Sequence, residues 1–272
     1  YIYILITIYN YYFLLNMKSK SKKNIKNNRK RSGKNVMRGG VLSEGDFLGI
    51  INRLTENDPT LTTLDIGRNN IGDNGAIALA GALKDNKTLT TLDISHNMIG
   101  VAGAKAIALA LKVNETLTTL NMYNNRFTSI GAEEIGKALE VNKTLTTLNI
   151  NSNNIRVAGA QAIAKALETN ATLITLDIEH NHIDNEGAEA IANALKINSA
   201  LTTLYISRNN IGPSGAEAIA EALETNATLT KLDISSNNIG ISRDFLELYN
   251  FMEKLRKALK ENKTLTTLNI SM

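Results

Sequence analysis

The chain has 272 residues, 43% of them hydrophobic, so it is long and apolar enough to bury a continuous core. It contains no cysteine, which excludes a disulfide framework, a cysteine zinc site and a thiol nucleophile. The net charge of +4 is unevenly distributed: residues 1–40 hold ten Lys and Arg and no acid, whereas residues 41–272 hold twenty basic and twenty-six acidic residues.

Residues 1–15 read YIYILITIYNYYFLL, and the first Met is Met17. Two interpretations are open. Residues 1–16 are upstream sequence that is not translated, with Met17 or Met37 as the start, or they are a membrane anchor. The apolar run is shorter than the roughly 18–20 residues that span a bilayer, and positive charge follows it instead of preceding it. We therefore expect no transmembrane span.

Residues 1–40 as a whole are expected to form a disordered basic N-terminal tail, because residues 18–40 are mostly Lys, Asn, Ser and Gly with little to bury. The KNNRKR run within the tail is a candidate patch for nucleic acid, an anionic membrane or targeting. Residues 41–59 follow as a capping helix, with Ser43 or Asp46 at its N-terminus, that covers the first edge of the core.

From Thr60 a 28-residue unit recurs, seen most cleanly as TLTTLNINSNNIRVAGAQAIAKALETNA at 144–171. Alternating Leu148 and Ile150 predict a short strand with one buried face, and the later spacing of three and four (Gly159, Ala160, Ile163, Ala164, Leu167) predicts a helix. Such a period predicts a solenoid, here seven repeats plus a final strand over residues 60–272. Further copies begin at Thr60, Thr88, Thr116, Thr172, Ala200, Thr228 and Thr264.

The predicted fold class is α/β, a right-handed solenoid with one parallel β-sheet. Parallel strands lie about 4.8 Å apart and packed helices roughly 8–10 Å apart, so the sheet belongs on the concave face and the helices on the convex face. The unit resembles the leucine-rich repeat, and its length and full helix are similar to the ribonuclease-inhibitor-like subclass. That subclass includes repeat domains of NOD-like receptors and of the Ran GTPase-activating protein. The resemblance implies a horseshoe-shaped protein-binding scaffold that is not an enzyme and needs no cofactor.

The seventh copy is eight residues longer than the others. Phe245, Leu248, Phe251, Met252 and Leu255 fall on helical spacing and predict a longer helix, which supplies either extra core or an aromatic patch for a partner. The final strand, TLTTLNISM, would leave a sheet edge that a truncated reading frame or an edge-paired dimer would explain.

Several repeated polar residues are interpreted as structural. The Asn after each strand is expected to satisfy backbone groups. Asp73, Ser129, Asp184 and Ser214 are expected to cap their own helices. Six N-x-T sequences match the glycosylation acceptor, but we expect them not to be glycosylated. Their Asn residues are expected to adopt the left-handed backbone conformation after each helix. Glu179, His180 and His182 are interpreted as surface residues, not metal ligands, because no third histidine is near.

What varies between repeats is the best guide to a partner. If the concave face binds, its anchors should be the large or charged residues there, because Arg and Tyr are frequent interface anchors. These are Arg68, Tyr123, Arg126, His180, Tyr205 and Arg208.

The leading hypothesis is a cytoplasmic, non-enzymatic scaffold that binds a protein partner through the concave face and adjoining loops. One alternative is a GTPase-activating or regulatory protein of the Ran-activator type, and another is a tail-mediated binder of nucleic acid or anionic membrane. An exported bacterial effector is the alternative localisation. The acidic balance of residues 41–272 slightly favours a basic partner and makes nucleic acid unlikely except through the tail.

Overall fold

A computed structural model of the chain describes residues 35–36, 42–240 and 245–270. Within these ranges strands and helices alternate. The strands are β1 (Asn35–Val36), β2 (Thr63–Asp65), β3 (Thr91–Asp93), β4 (Thr119–Asn121), β5 (Thr147–Asn149), β6 (Thr175–Asp177), β7 (Thr203–Tyr205), β8 (Lys231–Asp233) and β9 (Thr267–Asn269). The helices are α1 (Glu44–Thr55), α2 (Gly72–Leu83), α3 (Val101–Leu111), α4 (Thr128–Leu139), α5 (Arg156–Leu167), α6 (Asp184–Leu195), α7 (Pro213–Thr225) and α8 (Phe245–Glu261).

The described strands form one parallel sheet in chain order, from β1 to β9. The register advances by one repeat at each step, so that Leu120 pairs with Leu148 and Leu148 pairs with Leu176. The predicted α/β solenoid with a parallel sheet is therefore confirmed, while the right-handed winding stays a prediction. None of the described helices combines the length and the apolar composition needed to cross a bilayer.

The core lies between the sheet and the helix layer. The middle residue of each inner strand is a Leu that is fully or almost fully buried, such as Leu148, and the helices add Ala, Ile and Leu from one face, such as Ile163 and Leu167. Small Ala and Gly side chains let neighbouring helices approach closely. A Cβ on Gly136 of α4 would lie 2.7 Å from the carbonyl oxygen of Ala162 in α5.

The first edge of the sheet differs from the expectation. Helix α1 occupies the capping position, and the Ser43 hydroxyl accepts a hydrogen bond from the Asp46 backbone N–H. The segment expected to be disordered contains β1, which pairs with Leu64 and Asp65 of β2. Main-chain pairing of Asn35 and Val36 to an open sheet edge does not require apolar side chains, and the disorder expected of the tail stays a prediction. The rest of residues 1–40 lies outside the described residues.

Helix α8 confirms the prediction of a longer helix, with 17 residues against 11–13 in the other repeats. Phe251 is buried and Leu248 and Leu255 are half-buried, so this face extends the core. Met252 is 47% exposed and lies outside that core, because the apolar stripe is narrower than the spacing suggested. The side chain of Phe245 lies outside the described residues.

Candidate protein-binding face

The outer face of the sheet is built by the two residues that flank each buried Leu, because side chains alternate along a strand. The register aligns the residue after that Leu into one column that crosses the sheet. The column reads Asp65, Asp93, Asn121, Asn149, Asp177, Tyr205, Asp233 and Asn269. One aromatic side chain, Tyr205, thus stands in a column of short polar ones.

An asparagine ladder shapes the loops that follow the strands. Asn153 Oδ1 accepts from the N–H of Asn125, one repeat back, and its Nδ2 donates to the carbonyls of Met122 and Ile150. The same pattern recurs at Asn97, Asn125, Asn181, Asn209 and Asn237, all buried. The prediction that these residues satisfy backbone groups is confirmed, and they are part of the scaffold, not of a site.

Each loop exposes residues beside the ladder, many in the left-handed backbone region. Arg68, His180 and Arg208 have φ values of 64°, 51° and 55° and occupy one position of the unit. We call this edge of the solenoid, at the carboxyl ends of the strands, the rim. The six predicted anchors divide between the sheet face (Tyr123, Tyr205) and the rim (Arg68, Arg126, His180, Arg208).

The structure brings two of these anchors together through His96. Arg68 Nη2 lies 3.2 Å from His96 Nε2, and the His96 ring stands edge-on to the Tyr123 ring with centroids 4.7 Å apart. Burial lowers the pKa of His96, and the charge of Arg68 lowers it further, so the ring is neutral at pH 7. His96 therefore positions Arg68 and Tyr123 as one group.

Tyr205 on β7 forms a second group, one strand further along the sheet than β6, which His180 follows. The Lys231 ammonium lies 4.8 Å from the Tyr205 ring centroid, and a hydrogen bond with Tyr205 raises the pKa of Lys231. Arg208 follows Tyr205 in the same repeat, whereas Arg126 lies on the loop after β4 and His180 on the loop after β6. The predicted anchors are thus two groups on one face and not one compact site.

Asp177 and Glu179 belong to this face and were not among the predicted anchors. Glu179 accepts from the Ser207 hydroxyl at 2.6 Å and from Asn151 Nδ2 at 3.1 Å, so it bridges three repeats. Burial, aided by the charge of Glu179, raises the pKa of Asp177 to about 6. The position of both residues in the repeat predicts that they lie on the sheet face. Their burial depends on side chains of the neighbouring repeats, which the spacing along the sequence does not predict.

Other polar candidates are explained by the scaffold. Five of the six N-x-T asparagines, such as Asn86 and Asn142, are buried, and their Nδ2 atoms donate to carbonyls of the preceding helix layer. The left-handed conformation expected for them is wrong, because their amides stabilise the turn from the core side. Within the described residues, no three His, Cys, Asp or Glu side chains are grouped to hold a metal ion.

Comparison with known families agrees with this geometry. The family model described as Leucine Rich repeat matches residues 57–80, 85–108, 113–136, 141–164, 169–192, 198–220 and 225–240, more than half of the chain. The chain belongs to the leucine-rich repeat family. No curated protein matches this leucine-rich repeat chain in sequence.

Two solved structures are similar to this leucine-rich repeat protein. The tropomodulin C-terminal domain of Caenorhabditis elegans is 19% identical with a TM-score of 0.48, and the match covers 56% of this chain and 92% of that domain. Leiomodin-1 Actin-Binding Site 2 is 20% identical with a TM-score of 0.39, and the match covers 80% of this chain and 91% of that chain.

Proposed function

We propose that this leucine-rich repeat protein is a non-enzymatic scaffold that binds a protein partner through the outer sheet face and the adjoining loops. One observation carries the proposal. Tyr123 and Tyr205 are half-exposed on a face of mostly short polar side chains, and each contacts a nitrogen-bearing side chain, His96 or Lys231. Tyrosine provides a large contact area with few rotatable bonds, and it is enriched among the residues that dominate binding energy.

Both tyrosines are held in position before any partner arrives. His96 fixes the edge of Tyr123, and the Lys231 ammonium covers the Tyr205 ring. Preorganised side chains lose less conformational entropy on binding, so a partner gains more from contacting them. The scaffold beneath them, the asparagine ladder and the buried Leu of each strand, keeps the face rigid.

The test is affinity capture from a native cell extract with the full chain, followed by quantitative mass spectrometry. The double variant Tyr123→Ala and Tyr205→Ala should lose a defined set of proteins that the wild type captures. Lys165→Ala is the matched control, because Lys165 is well exposed on α5, away from the sheet face. Thermal melts should show that both variants remain folded.

If the captured proteins are retained by the tyrosine variant and lost by the Lys165 variant, binding lies on the helix face and the proposal is contradicted. Retention of every captured protein by both variants would also contradict it.

A further inference from the structure

Four arginines lie along the rim, one in each of four repeats. Arg68 follows β2, Arg126 follows β4, Arg156 follows β5 and Arg208 follows β7, and all four are exposed. Three of them, Arg68, Arg156 and Arg208, have positive φ values. That conformation costs a non-glycine residue roughly 1–2 kcal/mol, and Asn or Gly would adopt it more readily. Arginine at these positions is therefore not explained by backbone preference.

The rim arginines also differ from the lysines of the helix face, which form ion pairs with carboxylates. On the helix face, Lys137 lies 2.9 Å from Glu134 and Lys257 lies 2.5 Å from Glu224. None of the rim arginines forms an ion pair within the described residues, where Arg68 contacts His96 and Arg156 contacts Asn154. The rim thus carries uncompensated guanidinium groups with free donors, which suit carboxylates.

The backbone adds positive potential on this edge. Helices α2 to α7 all begin directly after the rim loops, so the positive ends of their dipoles point the same way. Acidic side chains in the first turn occur only in α2 and α6 among these six helices. The rim at β4 and β5, where Arg126 and Arg156 lie, therefore has no acid in the first turn of its helices.

The neighbouring sheet face limits what can bind there. Asp93, Asp177 and Asp233 lie on that face, parallel to the rim, and would repel a broad polyanion that covered both. A narrow anion that follows the rim avoids these aspartates and meets helix first-turn acids only at α2 and α6. From Arg68 to Arg208 the path crosses five strand spacings of about 4.8 Å, which an extended peptide of about seven or eight residues would span.

We propose that the rim arginines bind an extended acidic segment of a protein partner. This deepens the proposed function, on which it rests, by naming the chemistry of the partner. It departs from the basic partner that net charge favours, because the rim carries exposed arginines although residues 41–272 are acidic as a whole.

The test measures fluorescence anisotropy of a labelled twelve-residue Glu-Ser peptide with the full chain. Arg126→Gln combined with Arg156→Asn should weaken binding about tenfold, because two charge-assisted contacts are lost. The control, Lys137→Gln combined with Lys165→Gln, removes the same charge from the helix face and should change affinity less than about twofold. The basic tail is identical in all three proteins, so it cannot create a difference between them.

An equal effect of the two double variants would overturn the proposal, as would no effect of the rim variant. A labelled twelve-residue oligothymidylate serves as the competing probe. If the rim variant weakens that probe more than the peptide, the surface is a nucleic-acid site and the proposal fails. If the rim variant changes nothing while the Tyr123 and Tyr205 variant still loses its captured proteins, this inference fails and the proposed function stands.

Discussion

At the residue scale, Asp177 shows how a neighbouring repeat changes an ordinary side chain. Its carboxylate lies between Asn149 and Tyr205 in the outer column and accepts a hydrogen bond from the Glu179 backbone N–H. Asn149 occupies the same position one repeat earlier, and its Oδ1 accepts the equivalent bond from Asn151. An amide therefore fits this position, and the two side chains, Asn149 and Asp177, differ there only in charge.

We predict that Asp177→Asn stabilises the protein at neutral and alkaline pH. The folded-state pKa is raised from 3.8 to about 6, so the wild type loses stability as the pH rises between these values, while the variant does not. The difference in unfolding free energy should reach about 3 kcal/mol at pH 8. Urea unfolding at several pH values measures it.

The internal control is the same comparison at acidic pH. Below about pH 3 Asp177 is mostly protonated in both the folded and the unfolded state, so the pH-dependent difference between the variant and the wild type should be nearly zero. A stability difference that does not depend on pH would show that burial of the charge is not its cause.

At the element scale, the helix layer depends on how closely each helix approaches the next. Gly136 stands in α4 where α2, α3, α5, α6 and α7 have Ala, and the missing methyl lets α5 approach. Gly81 in α2 is a useful contrast, because a Cβ there would meet nothing within 4 Å. The two glycines have the same helix propensity and different surroundings.

We predict opposite effects of alanine at these two glycines. Gly81→Ala should stabilise the protein by about 0.5–1 kcal/mol, since it reduces the backbone freedom of the unfolded chain. Gly136→Ala should destabilise it by about 1–3 kcal/mol, because its methyl group would lie 2.7 Å from a backbone oxygen of α5. Chemical denaturation of both variants measures the two changes in unfolding free energy. If both variants are stabilised, α5 can move away from the added methyl group without loss of stability, and the prediction for Gly136 fails.

At the scale of the whole molecule, the asparagine ladder links the repeats in series. It begins where Leu42 donates its N–H to Asn69 Oδ1, and it continues through the repeats to Asn237, whose Oδ1 accepts from Asn209. Repeat proteins gain stability from nearest-neighbour interfaces, so a break in the middle of the ladder weakens two interfaces at once.

We predict that Asn153→Ala destabilises the solenoid by about 2–4 kcal/mol, because it leaves a buried N–H and several carbonyls without partners. Asn154→Gly is the matched control. Asn154 is the next residue, exposed and left-handed at φ 58°, so glycine should change stability by less than about 1 kcal/mol. Calorimetric melts measure both, and equal losses would contradict a role for the ladder.

The sequence by itself determined the repeat, its buried Leu and Ile positions, and the structural role of the Asn after each strand. It could do so because every 28-residue unit contains the same alternation of apolar residues in its strand and the same spacing of three and four in its helix. The six predicted anchors follow from variation against that period, and their role in binding stays a prediction.

Only the tertiary structure decided what happens between repeats. Asp73 was expected to cap its own helix, but its Oδ1 accepts from the N–H groups of Gly100 and Gly103 at the start of α3. The pairing of His96 with Arg68 and Tyr123 likewise depends on residues about 28 positions apart. Spacing along the chain predicts which face of the solenoid a side chain occupies. Which atoms it contacts in the next repeat depends on how the repeats stack, and this is decided only by the tertiary structure.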